Sequence, residues 1–398
     1  KITVIDVSTR TILGMVSTGS DTNLSQFIGI GHEGEKAYIP QTRSNATNRA
    51  LLFDDSVFPI VNVLDIDELE LVAKKRITLD TADKPVNMPF SVALSPAKRI
   101  LYVANAGSDN VSVIDLRTNR GLANLTVGSN PRGIAIVPDE SRIFVNNVLD
   151  GTVSVIDAKA LVVAHTIQIT NIPLNPTLLA GKKLFNSASS PVLTNDNWIS
   201  CATCHFDGMM DGRTWHGFPD GPRNTPALFD VAQTMPMHWS GDFDELHDVE
   251  ITIQKIQFGK GLTGKPAYDS LGQPHLGVSA ELDALAVYLA SLESPNSPHK
   301  SEKHVIALGQ SVFDGLNCQT CHVPPFYTDH KIHDVGTGDH KKEKNSHGRS
   351  TSFDTPSLRG VWLTAPYFHD GSAESLEEVF QNVFPIEDSH RNYVLEYK

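Results

Sequence analysis

Along the first 170 residues, apolar and polar positions alternate in short runs separated by turn residues. The clearest set runs Ser91–Pro96 (Ser-Val-Ala-Leu-Ser-Pro), Ile100–Asn105 (Ile-Leu-Tyr-Val-Ala-Asn) and Val111–Asp115 (Val-Ser-Val-Ile-Asp). A second set follows at Gly133–Pro138, Ile143–Asn146 and Val153–Asp157. A period of two with β-branched residues predicts strands, and the Pro-Asp, Ser-Asp-Asn and Gly clusters between them predict turns. Corresponding residues Asp115 and Asp157 stand 42 positions apart, the length of one four-stranded propeller blade. Earlier copies end at Asp6 and Asp65, with wider spacings that imply insertions such as Gln41–Asp55. A duplicated β-sandwich is the alternative reading of these strands.

After Thr170 the period changes. Asn175–Phe185 places apolar residues at 178, 179, 184 and 185, and Glu281–Leu292 carries Leu282, Leu285, Ala286 and Leu289 on one stripe, so both predict helices. Ser294–Lys303 reads as a polar linker containing proline. Beyond it, Val305–Phe313 echoes the Ala-Gly-x-x-Leu-Phe helix at 180–185, which suggests two duplicated helical units.

The chain has 398 residues, enough for two to four domains at roughly 100–200 residues each. With 40% hydrophobic and 20% charged residues it has the balance of a folded protein with real cores, not a disordered or collagen-like one. No apolar run approaches the roughly 18–20 residues of a membrane span. The net charge of −13 argues against a nucleic-acid partner, whose phosphates are met by Lys and Arg. The opening Lys1-Ile2-Thr3-Val4-Ile5-Asp6 lacks the charged and apolar regions of a signal peptide and reads as the middle of a strand, so further chain is expected before it.

All four cysteines fall in two copies of one motif, Cys201-Ala-Thr-Cys204-His205 and Cys318-Gln-Thr-Cys321-His322. Cys-x-x-Cys-His is the attachment signature of c-type haem: two thiols bond the porphyrin edge and the following His ligates iron. The alternatives are a zinc site or a redox dithiol. Paired zinc knuckles are typically about 15–20 residues apart, whereas these are 117 apart, and a dithiol does not need the His. Two covalent haems are therefore expected, with His205 and His322 as iron ligands.

The strand repeats resemble the YVTN family of seven-bladed propellers, here as Tyr102-Val-Ala-Asn105. Only three to four blades fit, too few to close a ring, so more blades are expected before Lys1. Residues 175–384 resemble the bacterial dihaem cytochrome c peroxidase family, whose relatives include the dihaem enzyme that matures the tryptophan-derived cofactor of methylamine dehydrogenase. The resemblance is carried by Pro222–Pro226 (Pro-Arg-Asn-Thr-Pro), His238–Gly241, Phe353–Gly360, Leu363–Ser372 and Leu376–Val379. Together these imply a multidomain chain: propeller blades over 1–172, a first helical c-type haem domain over 173–298 and a second over 299–398.

The family resemblance also implies roles. His216 matches a loop histidine that covers the far side of the peroxide-reacting first haem; a solvated loop histidine is the alternative. Trp239 matches the tryptophan between the haems, and a packed core tryptophan is its alternative. Asn224, Thr364 and Pro366 match an inter-domain Ca²⁺ site of hard oxygen donors. The partners implied are H₂O₂ or another small oxidant and an electron donor such as a small cytochrome or cupredoxin. A periplasmic or cell-surface location is implied, and a homodimer is possible in such a family.

Two departures qualify the resemblance. The place where relatives carry a ligand for the second haem falls near Val383, leaving that iron open or served by His390, Tyr393 or a histidine of the His330–His347 stretch, most of which reads as a polar loop. The pocket Gln and Glu of the peroxidases fall, counted without gaps, on Val249 and Gly259. Glu250, His247 or Asp248 then becomes the candidate for acid–base work; the alternative is that Asp242–Glu250 is an acidic surface helix. The leading expectation is peroxide reduction at the first haem, with electrons relayed from the second. The rivals are a non-peroxidatic electron-transfer cytochrome and a long-range oxidant whose propeller docks a partner.

Overall fold

A computed structural model describes residues 1–31, 34–298, 300–343 and 351–383. The first half is a stack of sheets in chain order. Two are complete antiparallel four-stranded sheets in which each strand pairs with the next: Pro89–Ser95, Ile100–Asn105, Asn110–Asp115 and Arg120–Thr126, then Pro131–Ile136, Arg142–Asn147, Thr152–Asp157 and Val162–Gln168. Their registers repeat, with Asn105 opposite Asn110 as Asn147 is opposite Thr152. In both, the buried asparagine donates from Nδ2 across the turn, Asn105 to Asn110 Oδ1 (2.7 Å) and Ser112 Oγ (2.8 Å), Asn147 to Thr152 Oγ1 and Ser154 Oγ (both 2.9 Å). The preceding sheet is a blade whose inner and outer strands are each broken in two around Lys36–Ser44 and Val57–Asp65, and the hairpin Ile2–Asp6/Thr11–Val16 comes before it.

Apolar clusters fill each gap between successive sheets. Val16 meets Ala37, Ile39 and Leu64; Val61 and Val63 meet Val92, Leu101 and Val103; Tyr102, Val111 and Val113 meet Ile143, Val145 and Ile156. Three such layers between four sheets are propeller packing, whereas a two-sheet sandwich has one. Adjacent positions of a strand serve opposite gaps, as Leu101 and Tyr102 do, because side chains alternate across a strand. The insertion expected at Gln41–Asp55 begins later, after Ser44. Gln41 and Asn62 are buried and bonded to each other (2.6 Å), so a polar stretch that reads as a loop is a strand held by side-chain amides.

Among the described residues the second half contains six α-helices: α1 Pro176–Asn186, α2 Cys201–Cys204, α3 Val249–Lys255, α4 Ala280–Ala290, α5 Lys303–Gly315 and α6 Leu376–Val383. Asn175 caps α1 by accepting from Thr177 N, and Ser279 caps α4 by accepting from Leu282 N. α1 and α4 pack together at Gly181, where an added Cβ would lie 1.9 Å from the Ala284 carbonyl oxygen. Phe185 and Tyr288 then meet with ring centroids 5.0 Å apart. In the linker, residues 294–298 and 300–302 form neither helix nor strand.

The first helical unit does not hang from the propeller; it shares a core with it. Met88 and Ala106 from the propeller lie in one cluster with Phe185, Ala202, Leu285 and Leu289. Asn87 is buried at the same junction. Its Nδ2 donates to Trp198 O (2.9 Å) and Thr203 Oγ1 (3.0 Å), and its Oδ1 accepts from Ser200 Oγ (3.2 Å). Gly107 passes so close that an added Cβ would lie 2.0 Å from Asn87 Oδ1, and its carbonyl accepts from Ala188 N.

Removing the Asn87 amide strands buried partners at each end of these bonds, which costs about 1–3 kcal/mol per unsatisfied group. Asn87→Ala is expected to lower the unfolding free energy by about that amount, and Gly107→Ala to lower it in the same direction by displacing the amide. Denaturant unfolding of the holoprotein followed at the haem band checks both.

Candidate functional site

Ser200–His205 forms one tight turn. Ser200 and Thr203 cap α2 reciprocally, which brings Cys201 and Cys204 onto one short helix with His205 at its end. Burial pushes both thiols up, Cys204 furthest, with the Asp211 carboxylate adding to it. Burial pushes His205 down to about 4, against the Pro226 carbonyl, and the charge of His238 adds to the lowering. The imidazole is thus held neutral, the form that binds a metal. His205 Nδ1 is buried with no hydrogen-bond partner among the described residues. A half-buried turn with two thiols and a neutral imidazole fits a covalently attached haem.

The second turn is looser. Cys318–Thr320 is a single 3₁₀ turn entered through Asn317 in the left-handed region (φ 57°). His322 Nδ1 meets the Tyr327 carbonyl at 2.9 Å. That contact orients the ring and leaves Nε2 to face a metal, the arrangement typical of iron and zinc histidines.

Between the two units the structure shows a reciprocal pairing. Each unit contributes a two-residue strand, Arg223–Asn224 and Phe353–Asp354, and a loop closed by a single bridge, Met237 to Phe243 and Tyr367 to Ala373. Asn224 N donates to His369 O (2.5 Å), and Asp354 N donates to Trp239 O (2.8 Å). Trp239 and His369 thus hold equivalent places, each following a residue of positive φ (His238, 66°; Phe368, 68°). Trp239 also donates from Nε1 to Asn224 O at 2.8 Å. The half-buried indole is therefore fixed between the units at both its backbone and its ring.

On the other side of the junction, Arg223 Nη1 donates to Glu343 Oε2 (2.6 Å), and His369 Nε2 meets Glu343 Oε1 (3.0 Å). Burial raises the Glu343 carboxyl, but these two bonds outweigh it and hold it below its ordinary value. Phe353 stacks on His369 at 3.9 Å. Asn224 Nδ2 meets the Pro366 carbonyl at 2.6 Å while Asn224 Oδ1 is buried without a partner among the described residues. An oxygen-seeking cation would find that orphaned oxygen and the Pro366 carbonyl together. Thr364 lies on the same turn, its Oγ1 bonded to the Val361 carbonyl.

Other expected residues are placed differently. His216 is exposed, with its backbone N bonded to Ala46 O of the propeller insertion (2.8 Å). Glu250 is fully buried and accepts from Leu262 N (2.8 Å), Thr263 N (3.2 Å), Thr263 Oγ1 (2.9 Å) and Gln254 Nε2 (2.7 Å). Its carboxylate anchors the 261–263 loop and has no free face for proton transfer. At Gly259 an added Cβ would lie 2.5 Å from the Leu193 carbonyl group, so backbone fills the space a pocket Glu would need. The alternative for Asp242–Glu250, an acidic surface helix, is not formed either: a 3₁₀ turn at Leu246–Asp248 leads into α3, and His247, Asp248 and Glu250 are buried. Of the candidate ligands for the second iron, His330 Nδ1 meets the Met235 carbonyl (3.0 Å) and His333 is bonded to Asp329 (2.8 Å). His347, His390 and Tyr393 lie outside the described residues.

Three residues of the site were missed from the sequence. Asn87 is far away in the chain, and only the fold shows it holding the Ser200–Thr203 turn. His238 affects His205 electrostatically and bonds Asp242 through Nδ1 (3.0 Å); its place beside Trp239 in the His-Trp-Ser-Gly motif was the available signal. Asp354 is pushed up to about 8, first by burial and then by the Asp329 carboxylate.

Three family models match parts of the chain. Residues 56–197 match the family model described as lactonase, 7-bladed beta-propeller, residues 177–301 match di-haem cytochrome c peroxidase, and residues 352–383 match RoxA-like, cytochrome c-like. The chain is 29% identical over 251 residues to methylamine utilization protein MauG of Methylorubrum extorquens, covering 53% of this chain and 69% of that protein. It is 25% identical over 244 residues to cytochrome c551 peroxidase of Nitrosomonas europaea, covering 52% and 72%. A solved MauG-like protein associated with microbial copper homeostasis superposes with a TM-score of 0.40 at 21% identity, over 53% of this chain and 76% of that one. Among the described residues no helix is long and apolar enough to cross a membrane.

Glu250→Gln replaces one acceptor oxygen by a donor that faces loop N–H groups. It is expected to lower stability by about 1–3 kcal/mol, seen as an earlier unfolding transition, with an unchanged haem absorption spectrum. For Asp354, the folded value of about 8 lies above the unfolded value, which is near 3.9. The stability it contributes is present below about pH 4 and is lost as the pH rises through about 8. Asp354→Asn is expected to flatten that decline, as read from unfolding midpoints across this range.

Proposed function

We propose that this chain, which carries a di-haem cytochrome c peroxidase/MauG-type domain behind a lactonase-type propeller region, reduces hydrogen peroxide at the His205 end with electrons relayed from the His322 end. The observation that carries the reading is Trp239, bonded from Nε1 to Asn224 of the first unit and through its carbonyl to Asp354 of the second. An indole held at two points across a junction offers an electron path of fixed geometry.

Haem bound at the two Cys-x-x-Cys-His turns would supply iron that binds peroxide and exchanges electrons. Cys201, Cys204 and His205 would hold the first group, and Cys318, Cys321 and His322 the second. Burial keeps His205 neutral at working pH, and the Asn87–Thr203 contact keeps its turn in place. Asn224, with Pro366 and Thr364, would hold Ca²⁺ at the junction and so steady the Trp239 contact. Reduction of one peroxide to two waters takes two electrons and two protons, the electrons coming from a donor of the small-cytochrome or cupredoxin class. Such chemistry belongs to the periplasm or the cell surface.

The second reading is long-range oxidation of a docked partner, in the manner implied by the MauG resemblance. Glu250 and Gly259 favour it, because neither offers the mobile carboxylate that assists peroxide cleavage. Mixing half-reduced, Ca²⁺-loaded holoprotein with H₂O₂ in stopped flow separates the two. Fast oxidation of both haems and steady consumption of peroxide with a reduced donor is expected for the first reading; slow bleaching alone overturns it. Trp239→Phe is expected to slow oxidation of the second haem by orders of magnitude while leaving both haem spectra unchanged. Equal rates in the variant would make Trp239 a packing residue.

A further inference from the structure

The first helical unit contains a second polar cluster, built from the 245–248 turn, the 268–278 loop and the first turn of α4. One carboxylate oxygen each of Glu245 and Asp248 and one ring nitrogen of His275 lie within 4.8 Å of one another. Asp248 is fully buried; its Oδ2 accepts from Asp244 N (3.1 Å) and Glu245 N (3.3 Å), and its Oδ1 is buried with no partner among the described residues. Glu245 Oε1 takes both the backbone N (2.8 Å) and Nδ1 (2.7 Å) of His275. His247 stands alongside, with Nδ1 3.5 Å from Glu245 Oε2 and Nε2 3.0 Å from Asp283 Oδ1.

Two features set this cluster apart from an ordinary acidic surface. Its charge is unbalanced: among the described residues, the ion pairs of Glu245 and Asp283 are with histidines, and none is with Lys or Arg. Its imidazoles are also oriented in advance. Tyr268 stacks flat on His275, with centroids 3.3 Å apart and planes at 10°, and its hydroxyl donates to the His247 carbonyl (2.8 Å). Support of this kind, from groups behind the ligands, is what metal-binding histidines receive.

We propose that Glu245, Asp248 and His275 form a divalent transition-metal site that takes Zn²⁺, with His247 or water as the fourth ligand. The donor set decides the class of ion. Imidazole nitrogen with two carboxylates and no thiolate suits Zn²⁺, whereas Ca²⁺ and Mg²⁺ select all-oxygen sets. The ion would neutralise the excess negative charge, give the orphaned Asp248 oxygen a partner and pin the 268–278 loop to the start of α3. The proposal is independent of peroxide chemistry and of the Cys-x-x-Cys-His turns, whose residues it does not use.

The test uses the holoprotein, stripped with EDTA and returned to excess CaCl₂ so that the Asn224 position is filled. Zn²⁺ is then titrated calorimetrically, and metal retained after gel filtration is counted against haem iron. One Zn²⁺ per two haem irons is expected. His275→Gln and Asp248→Asn should each weaken binding by at least ~10-fold, with the haem spectrum unchanged. Retention of no Zn²⁺, or equal retention in wild type and both variants, overturns the site, the latter showing adventitious binding to other histidines. Should Asp248→Asn fail to fold, His275→Gln on the half-buried loop decides the matter alone.

Discussion

A buried amide has to be satisfied on every side, and at Asn87 that requirement ties together two halves of the molecule that fold by different rules. One partner is a backbone carbonyl (Trp198) and two are the hydroxyls that cap the first cysteine turn (Ser200 and Thr203). Burial makes each bond hard to replace, since no water is at hand to substitute for a lost partner. The turn that carries Cys201 to His205 therefore takes its orientation from the propeller as much as from its own helix. Gly107 belongs to the same constraint, because any side chain there would occupy the place of the amide.

The junction between the two helical units follows a second rule, reciprocity. Each unit lends one backbone N–H to a carbonyl of the other, from Asn224 to His369 and from Asp354 to Trp239. The two units thus correspond in backbone hydrogen bonding even where their side chains differ. An indole occupies one of the equivalent places, and an imidazole in a buried Arg–Glu–His chain occupies the other. The asymmetry of chemistry is laid over a near-symmetric frame.

Much of this was legible in the chain. The 42-residue spacing reported the blades because blade length is local, and the asparagine of each repeat recurs with the same turn contacts at Asn105 and Asn147. Cys-x-x-Cys-His was legible because its chemistry needs adjacent residues. The Ala-Gly-x-x-Leu-Phe segment was legible as a helix, but only the fold shows that its Gly181 is where α4 crosses closely. What was not legible depended on distant neighbours. Glu250 looked available for proton transfer until four donors from its own helix and the 261–263 loop closed around it. Gln41 looked like loop because a buried polar strand carries no alternation. His216 was placed by its offset from a motif, and offset says nothing of exposure.

The core shared by Met88 and Ala106 with Phe185, Ala202 and Leu285 changes what counts as a unit of stability. The change of character near residue 172 is a boundary of pattern. The same contacts that cross it make the last blades and the first helical unit a single cooperative block, since neither can open without exposing the apolar surface of the other. By contrast, the buried groups Glu343, Phe353 and His369 of the second helical unit lie at its junction with the first, where Arg223 meets them. Opening at the Cys201–His205 end is therefore tied to opening of the blades that share its core.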